Sequence, residues 1–201
     1  MSFRKENKYR ISNSEFFQLQ TQLSDLGMYE IHPRRLVASC YFDTHNFTLF
    51  HESEEGTLPR KKVRVRWYDG TMNLQKEQKI SSIEGRFKTI ENISSTQTEK
   101  DLLKMRYFDQ IYGWLTPKII ISYYRQYFSL NALRITFDQK ISYQPVHPII
   151  SGTVQDQECV MEVKAPISTD DGYIEKYISL PTSRFSKYGR GLQFLGLHDK
   201  Y

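Results

Sequence analysis

Strict alternation of polar and apolar residues dominates the chain, and it is cleanest at Arg60–Tyr68. Read as a strand, that segment puts Arg60, Lys62, Arg64 and Arg66 on one face and Val63, Val65 and Trp67 on the other. Strand periodicity also marks residues 3–11, 36–43, 72–80, 86–90, 118–130, 133–143 and 158–164. Asp69-Gly70, Glu84-Gly85 and Asn131-Ala132 supply tight turns between successive strands. Helical spacing is predicted where Ser12 and Glu15 form a capping box ahead of Phe16, Leu19, Leu23 and Leu26, with Gly27 as the stop. Phe47, Leu49 and Phe50 suggest a short helix. Residues 95–115 read as a second long one, with Leu102, Leu103, Met105, Tyr107 and Ile111 on its apolar side and Pro117 ending it. A further short helix is expected over 170–178.

With so many strands joined by hairpins and few helices between them, the expected class is α+β. The expected architecture is a closed antiparallel eight-stranded barrel with helices packed outside, since closure abolishes exposed strand edges. No repeat, linker or low-complexity tract interrupts residues 1–201, so one domain is expected.

Composition narrows the picture. An apolar fraction of 39% supports a packed core and excludes a disordered basic tail. A net charge of +5 points to an anionic partner without choosing one. There is no 18-residue apolar run and no signal-like N-terminal segment, so a soluble cytoplasmic form is expected. Cys40 and Cys159 have no metal-ligand spacing and read as buried free thiols. His32, His45, His51, His147 and His198 fall in loops or termini and read as surface residues.

The charged strand faces change the picture most. Pooled, they carry Lys8, Arg64, Arg66, Lys79, Lys88, Arg125, Arg134 and Lys164 together with Glu6, Glu77, Asp138 and Glu162. A single such strand is simply a solvated surface. Recurrence over six strands, each with an apolar opposite face, fits a polar lumen instead. Like charges ~4 Å apart there would repel by about 4 kcal/mol per pair at an effective dielectric near 20. A polyanion relieves that repulsion, with arginine matching phosphate oxygens in pairs and lysine adding compact charge. Nucleic acid is disfavoured, because the interspersed carboxylates would repel a phosphate backbone and no aromatic stacking platform accompanies the cations. Arg134 and Asp138 share a face and suit a structural ion pair as well as a metal or phosphate role. Lys5 and Lys61 read as solvated.

Glu6-Asn7-Lys8-Tyr9, Ser39-Cys40-Tyr41-Phe42-Asp43-Thr44, Val63-Arg64-Val65-Arg66-Trp67-Tyr68, Tyr124-Arg125, Leu133-Arg134-Ile135-Thr136-Phe137-Asp138, Met161-Glu162-Val163-Lys164 and Ser186-Lys187-Tyr188 occur in that order. The ordered set resembles the VTC domain, the polyphosphate polymerase branch of the triphosphate tunnel metalloenzymes, in its stand-alone bacterial form. The resemblance implies an eight-stranded tunnel holding a nucleoside triphosphate, polyphosphate or tripolyphosphate with Mn²⁺ or Mg²⁺. By motif, Lys8, Arg64, Arg66 and Arg125 match phosphate-binding positions, Lys79 and Lys88 tunnel lysines, and Lys187 a lysine near the tunnel mouth. Glu162 matches the acidic metal ligand; Glu77 and Asp138 are candidate further ligands, and Arg134 and Lys164 candidate phosphate contacts. Arg4 stands where wider relatives carry the first glutamate of Glu-x-Glu-x-Lys, which tilts the expectation from hydrolysis toward transfer. The short segment before Ser186 implies a reduced closing helix.

The resulting expectation is a metal-dependent phosphotransferase that moves the γ-phosphate of ATP onto a growing polyphosphate. An inorganic triphosphatase, with Glu6 or Glu77 positioning water, and a non-catalytic polyphosphate-binding module are the alternatives. A membrane-protein partner receiving the product is left open.

Overall fold

The computed structural model describes residues 4–71, 73–93, 99–146 and 151–197. Ten strands and five helices follow in chain order: β1 (Arg4–Ile11), α1 (Asn13–Asp25), β2 (Tyr29–Asp43), α2 (Thr48–Glu55), β3 (Arg60–Tyr68), β4 (Gln75–Ser82), β5 (Gly85–Asn92), α3 (Glu99–Lys104), β6 (Tyr107–Asp109), β7 (Gly113–Leu130), β8 (Leu133–Pro145), β9 (Val154–Gln155), β10 (Cys159–Pro166), α4 (Asp171–Glu175) and α5 (Lys187–Phe194). The hydrogen-bonded order is β1-β10-β8-β7-β2-β3-β4-β5, with β6 on β7 and β9 on β8. That order has two ends. Among the described residues no register joins β1 to β5, so the closed barrel expected from sequence is not found. Without closure, the expected placing of helices outside a barrel does not apply either.

Two compact units are interleaved along the chain. One comprises Met1–Arg35, Tyr123–Ile141 and Asp156–Phe185, the other Leu36–Ser122, Ser142–Gln155 and Ser186–Tyr201. In the first, β1 pairs with β10 and β10 with β8, all antiparallel. Alternation sends Tyr9, Ile11, Ile135, Phe137, Met161 and Val163 to one face, where Phe16, Leu19 and Leu23 of α1 cover them. Helix α1 starts as its sequence predicts: Ser12 Oγ accepts from Glu15 N–H at 3.2 Å, and the Glu15 carboxylate accepts from Ser12 N–H at 2.7 Å. Phe137 is the centre of this core, edge-on to Phe16 and Phe128 at 5.2 and 5.8 Å between ring centroids.

In the second unit β3 pairs with β2 and β4, and β4 with β5. Cys40, Phe42, Val63, Val65 and Trp67 form the apolar side with Leu49 of α2, Leu102 of α3 and Leu115 of β7. Helix α5 lies against Tyr143 and Ile119 at Gly191, where a Cβ would come within 2.6 and 2.7 Å of those side chains. Both cysteines are buried and free, as expected.

The helix expected over 95–115 is overturned. Its first residues lie outside the described set, α3 covers only Glu99–Lys104, and residues 107–115 form a hairpin. Asp109 makes the difference, because its Oδ1 accepts from the N–H groups of Ile111 and Tyr112 at 3.0 and 3.4 Å and turns the chain back. Gly113, at φ 72°, completes the turn, and Pro117 falls inside a strand rather than ending a helix. Strand β2 begins seven residues before the expected start, at Tyr29, since its exposed first half lacks an apolar face to betray it. His32 consequently lies in a strand, edge-on to Tyr127, while His147 and His198 lie outside the described residues. No helix among the described residues is long and apolar enough to cross a membrane.

Because Phe137 is fully buried between two aromatic rings, Phe137→Ala should lower the unfolding free energy by about 3–5 kcal/mol. Urea unfolding followed by circular dichroism measures it.

Candidate functional site

Residues directly opposite across antiparallel strands share a face. In the second unit this rule assembles a dense cationic surface. Lys62, Lys79 and Lys88 are direct neighbours across β3, β4 and β5, and the adjacent row sets Tyr41, Arg64 and Glu77 side by side. Arg66 lies across from Ser39 and Gln75.

Glu77 sits in the middle of these cations, 3% exposed. Arg64 reaches its Oε2 through Nε at 2.6 Å and Nη2 at 2.5 Å, and Arg66 Nη1 lies 3.8 Å from the same oxygen. Lys88 Nζ donates to Oε1 at 2.7 Å. Burial alone would raise the Glu77 pKa, but Arg64, Arg66 and Lys88 outweigh it and hold the group at about 2. Neutral hydroxyls add further contacts. Arg64 Nη1 donates to the Tyr41 hydroxyl at 2.8 Å, Arg66 Nε to Ser39 Oγ at 3.0 Å, and Lys62 Nζ to Ser186 Oγ at 2.9 Å.

On the same face, beside the cations, lies a support that sequence reading missed. The Tyr41 ring stacks on Tyr188 of α5 at 5.0 Å and 7°. The Tyr188 hydroxyl donates to Asp43 Oδ2 at 2.7 Å, and the Asp43 carboxylate also accepts from the N–H groups of Thr44, Leu49 and Phe50. Asp43 therefore caps α2 and anchors α5 at once; burial raises its pKa despite those donors. Period-two counting along β2 puts Ser39, Tyr41 and Asp43 on one face, the signal that could have found them.

In the first unit a second charged face forms. Lys8 lies opposite Glu162, and Glu162 opposite Thr136; Glu6, Lys164 and Arg134 make the next row. Arg125 grips Asp138 with two parallel hydrogen bonds of 2.6 and 2.7 Å, and Asp138 is fully buried. Lys164 Nζ is 2.7 Å from Glu162 Oε1, and Lys8 Nζ donates to the Phe185 carbonyl at 3.1 Å, 3.5 Å from Glu6. Burial pushes the Glu162 pKa upward, yet Arg125, Lys164 and Lys8 bring it to about 2. The Arg134 guanidinium lies over Tyr127 at 6.0 Å. Lys187 begins α5 just after its Ser186 cap. Lys61, expected in solvent, instead pairs with Asp109 and is mostly covered.

Among the described residues no group of three His, Cys, Asp or Glu side chains gathers to hold a metal by itself. Asp138 is engaged on both oxygens by Arg125, and Glu77 on both oxygens by cations. Glu162 differs, because directly across from it the buried Thr136 Oγ1 has no hydrogen-bond partner. An ionised carboxylate beside an orphaned hydroxyl is an oxygen donor pair that fits a hard dication, provided phosphate oxygens complete its shell among so many cations.

The VTC domain model matches residues 3–196. No curated protein matches the chain. Among solved structures, a protein of Bacillus halodurans, provisionally described as an adenylate cyclase, superposes with TM-score 0.60 at 15% identity, over 92% of this chain and 94% of its own. A conserved Pyrococcus furiosus protein of no stated function gives 0.55 at 13%, over 92% and 99%. HpAC1 of Hippeastrum, an adenylyl cyclase candidate with a dominant triphosphatase activity, gives 0.50 at 17%, over 96% of each chain. At such identities these likenesses establish the fold.

Two measurements follow from the charges. The folded-state pKa of Glu77 lies below the ordinary 4.5, so its stabilisation is complete above that value and is lost as pH falls toward 2. Glu77→Gln should lower stability at neutral pH by about 3 kcal/mol, the low end for breaking a buried pair because Lys88 is half in solvent, and should flatten the acid limb of a stability–pH curve. Burial opposes ionisation of the Tyr41 phenol, but Arg64, Arg66 and Lys62 overcome it and place the group at about 8. Tyrosinate absorbance should therefore show one early-titrating phenol that disappears in Tyr41→Phe.

Proposed function

The chain belongs to the VTC domain family, and on that premise we propose a metal-dependent phosphotransferase that moves the γ-phosphate of ATP, or another nucleoside triphosphate, onto a growing polyphosphate. The observation that carries this reading is the row Lys62, Lys79 and Lys88 beside Arg64 and Arg66, with Glu77 as the buried carboxylate between them. Directly opposed like charges destabilise a sheet, and a phosphate chain is the partner whose charge density and oxygen spacing answer five such cations.

In this reading Arg64 and Arg66 hold phosphate oxygens as paired donors, while Lys62, Lys79 and Lys88 track the remaining charge. On the first unit's own charged face Lys8, Arg125, Arg134 and Lys164 are proposed as phosphate contacts in their own right, and Lys187 as one more in the second unit. A terminal oxygen of the acceptor chain attacks the γ-phosphorus, one P–O bond forms, the bond to the bridging oxygen breaks, and the nucleoside diphosphate leaves. The acceptor is already an anion, so no general base is required of the protein. Glu162 and Thr136 are the residues that would hold Mn²⁺ or Mg²⁺, and the bound ion would neutralise charge developing on the phosphate oxygens.

Hydrolysis of the same substrates is the second reading, supported by the triphosphatase activity described for the Hippeastrum protein that shares the fold. Phosphate accounting separates the two. Purified protein is incubated with ATP, Mn²⁺ and tripolyphosphate, beside Arg64→Ala and Glu162→Ala. Long chains with matched ADP release, both reduced at least about a hundredfold in the variants, are expected. Free phosphate without chain growth would establish the hydrolase instead, and primer binding without turnover a binding module.

A further inference from the structure

The hairpin 107–115 breaks the rule that a surface strand turns polar side chains to solvent. Tyr107 and Leu115 face inward, while their neighbours Phe108 and Trp114 face out, 65% and 61% exposed, as direct cross-strand partners. The two rings meet edge-on at 5.4 Å. At the tip Ile111 is 75% exposed, and Leu103 of α3 adds a partly exposed apolar side chain. Large apolar side chains clustered on a projection mark a binding surface more often than an accident of solvation.

The tip is built to stay in place. Asp109 accepts from the N–H groups of Ile111 and Tyr112, and its other oxygen pairs with Lys61. Ile111 is therefore held at the apex by a closed set of hydrogen bonds. The Lys61 pairing also neutralises the acidic residue of the turn. Lys100, Lys104 and Arg106, all exposed, outnumber the exposed Asp101, which lies one helical turn before Lys104, along the stretch that leads into the hairpin.

We propose that this hairpin is a shallow insertion device that seats the protein on an anionic lipid surface. Phe108 and Trp114 at about 150–250 Å² each, with the smaller Ile111 and the partly exposed Leu103, fall short of the roughly 800 Å² per partner that a stable protein interface needs. They suit the bilayer interface, where a tryptophan ring sits at headgroup level and its apolar neighbours reach the acyl boundary. Lys104 and Arg106 then lie where phosphate headgroups are, each adding electrostatic attraction. The inference is independent of the reaction catalysed.

Co-sedimentation with vesicles of phosphatidylcholine, with and without phosphatidylserine, tests it. Tryptophan emission is recorded in parallel: Trp67 is 9% exposed, so a shift to shorter wavelength reports Trp114 and should vanish in Trp114→Phe. Binding to the anionic vesicles is expected to fall roughly tenfold or more in Phe108→Ser/Ile111→Ser and clearly in Lys104→Glu/Arg106→Glu. Because these side chains are exposed, both variants should keep the wild-type melting temperature and ATP turnover in solution. Equal binding to neutral vesicles, undiminished binding by the hairpin variant, or no binding at all would overturn the proposal. A concentration-dependent dimer lost in Phe108→Ser/Ile111→Ser, without vesicle binding, would assign the surface to a second copy and equally overturn it.

Discussion

The second unit depends on one buried carboxylate. Without the negative charge of Glu77, Arg64, Arg66 and Lys88 would lose the carboxylate they share, and their repulsion for one another and for Lys62 and Lys79 on neighbouring strands would rise. Glu77 lets the sheet form before any ligand arrives, and in doing so it orients the guanidinium of Arg64 through two contacts while Tyr41 takes a third. The cations are therefore organised ahead of use, which spares a ligand the entropy of ordering them. Glu162 plays the corresponding part in the first unit, among Lys8, Arg125 and Lys164.

An internal counter-ion also sets a limit on affinity. On the proposed function, an incoming phosphate would share Arg64 and Lys88 with a carboxylate that is already well bound, and its gain would be a difference between two anions. Such exchange would suit a surface along which a product chain moved, since very tight capture would stall release. Arg125 and Asp138 represent the other extreme, a bidentate pair with a fully buried acid, so that a phosphate there would meet a guanidinium already gripped through Nε and Nη2.

Much of this was legible in the chain because a strand's period of two is read directly from residue types. Arg64 and Arg66 on β3, Glu77 on β4 and Glu162 on β10 fall on the charged faces that counting assigns them. Pairing partners beyond the next hairpin were not legible. Nothing in residues 29–43 announces that Tyr41 will stack on Tyr188, because that contact depends on where α5 docks, 147 positions later in sequence. Closure of the barrel failed for a similar reason: alternation fixes faces and says nothing about whether β1 meets β5. At 95–115 the apolar spacing was compatible with a helix, and a single side chain, Asp109, folded it into a hairpin instead.

The interleaving of the two units carries a consequence for biosynthesis. Neither unit is a continuous stretch: one draws on the chain up to Phe185, and the other closes only when Tyr188 reaches Asp43. A nascent chain stalled before α5 would hold the paired strands β2 to β5 without the contacts of Tyr188 to Asp43 and Tyr41, and would be open to chaperones or proteases until that helix arrives.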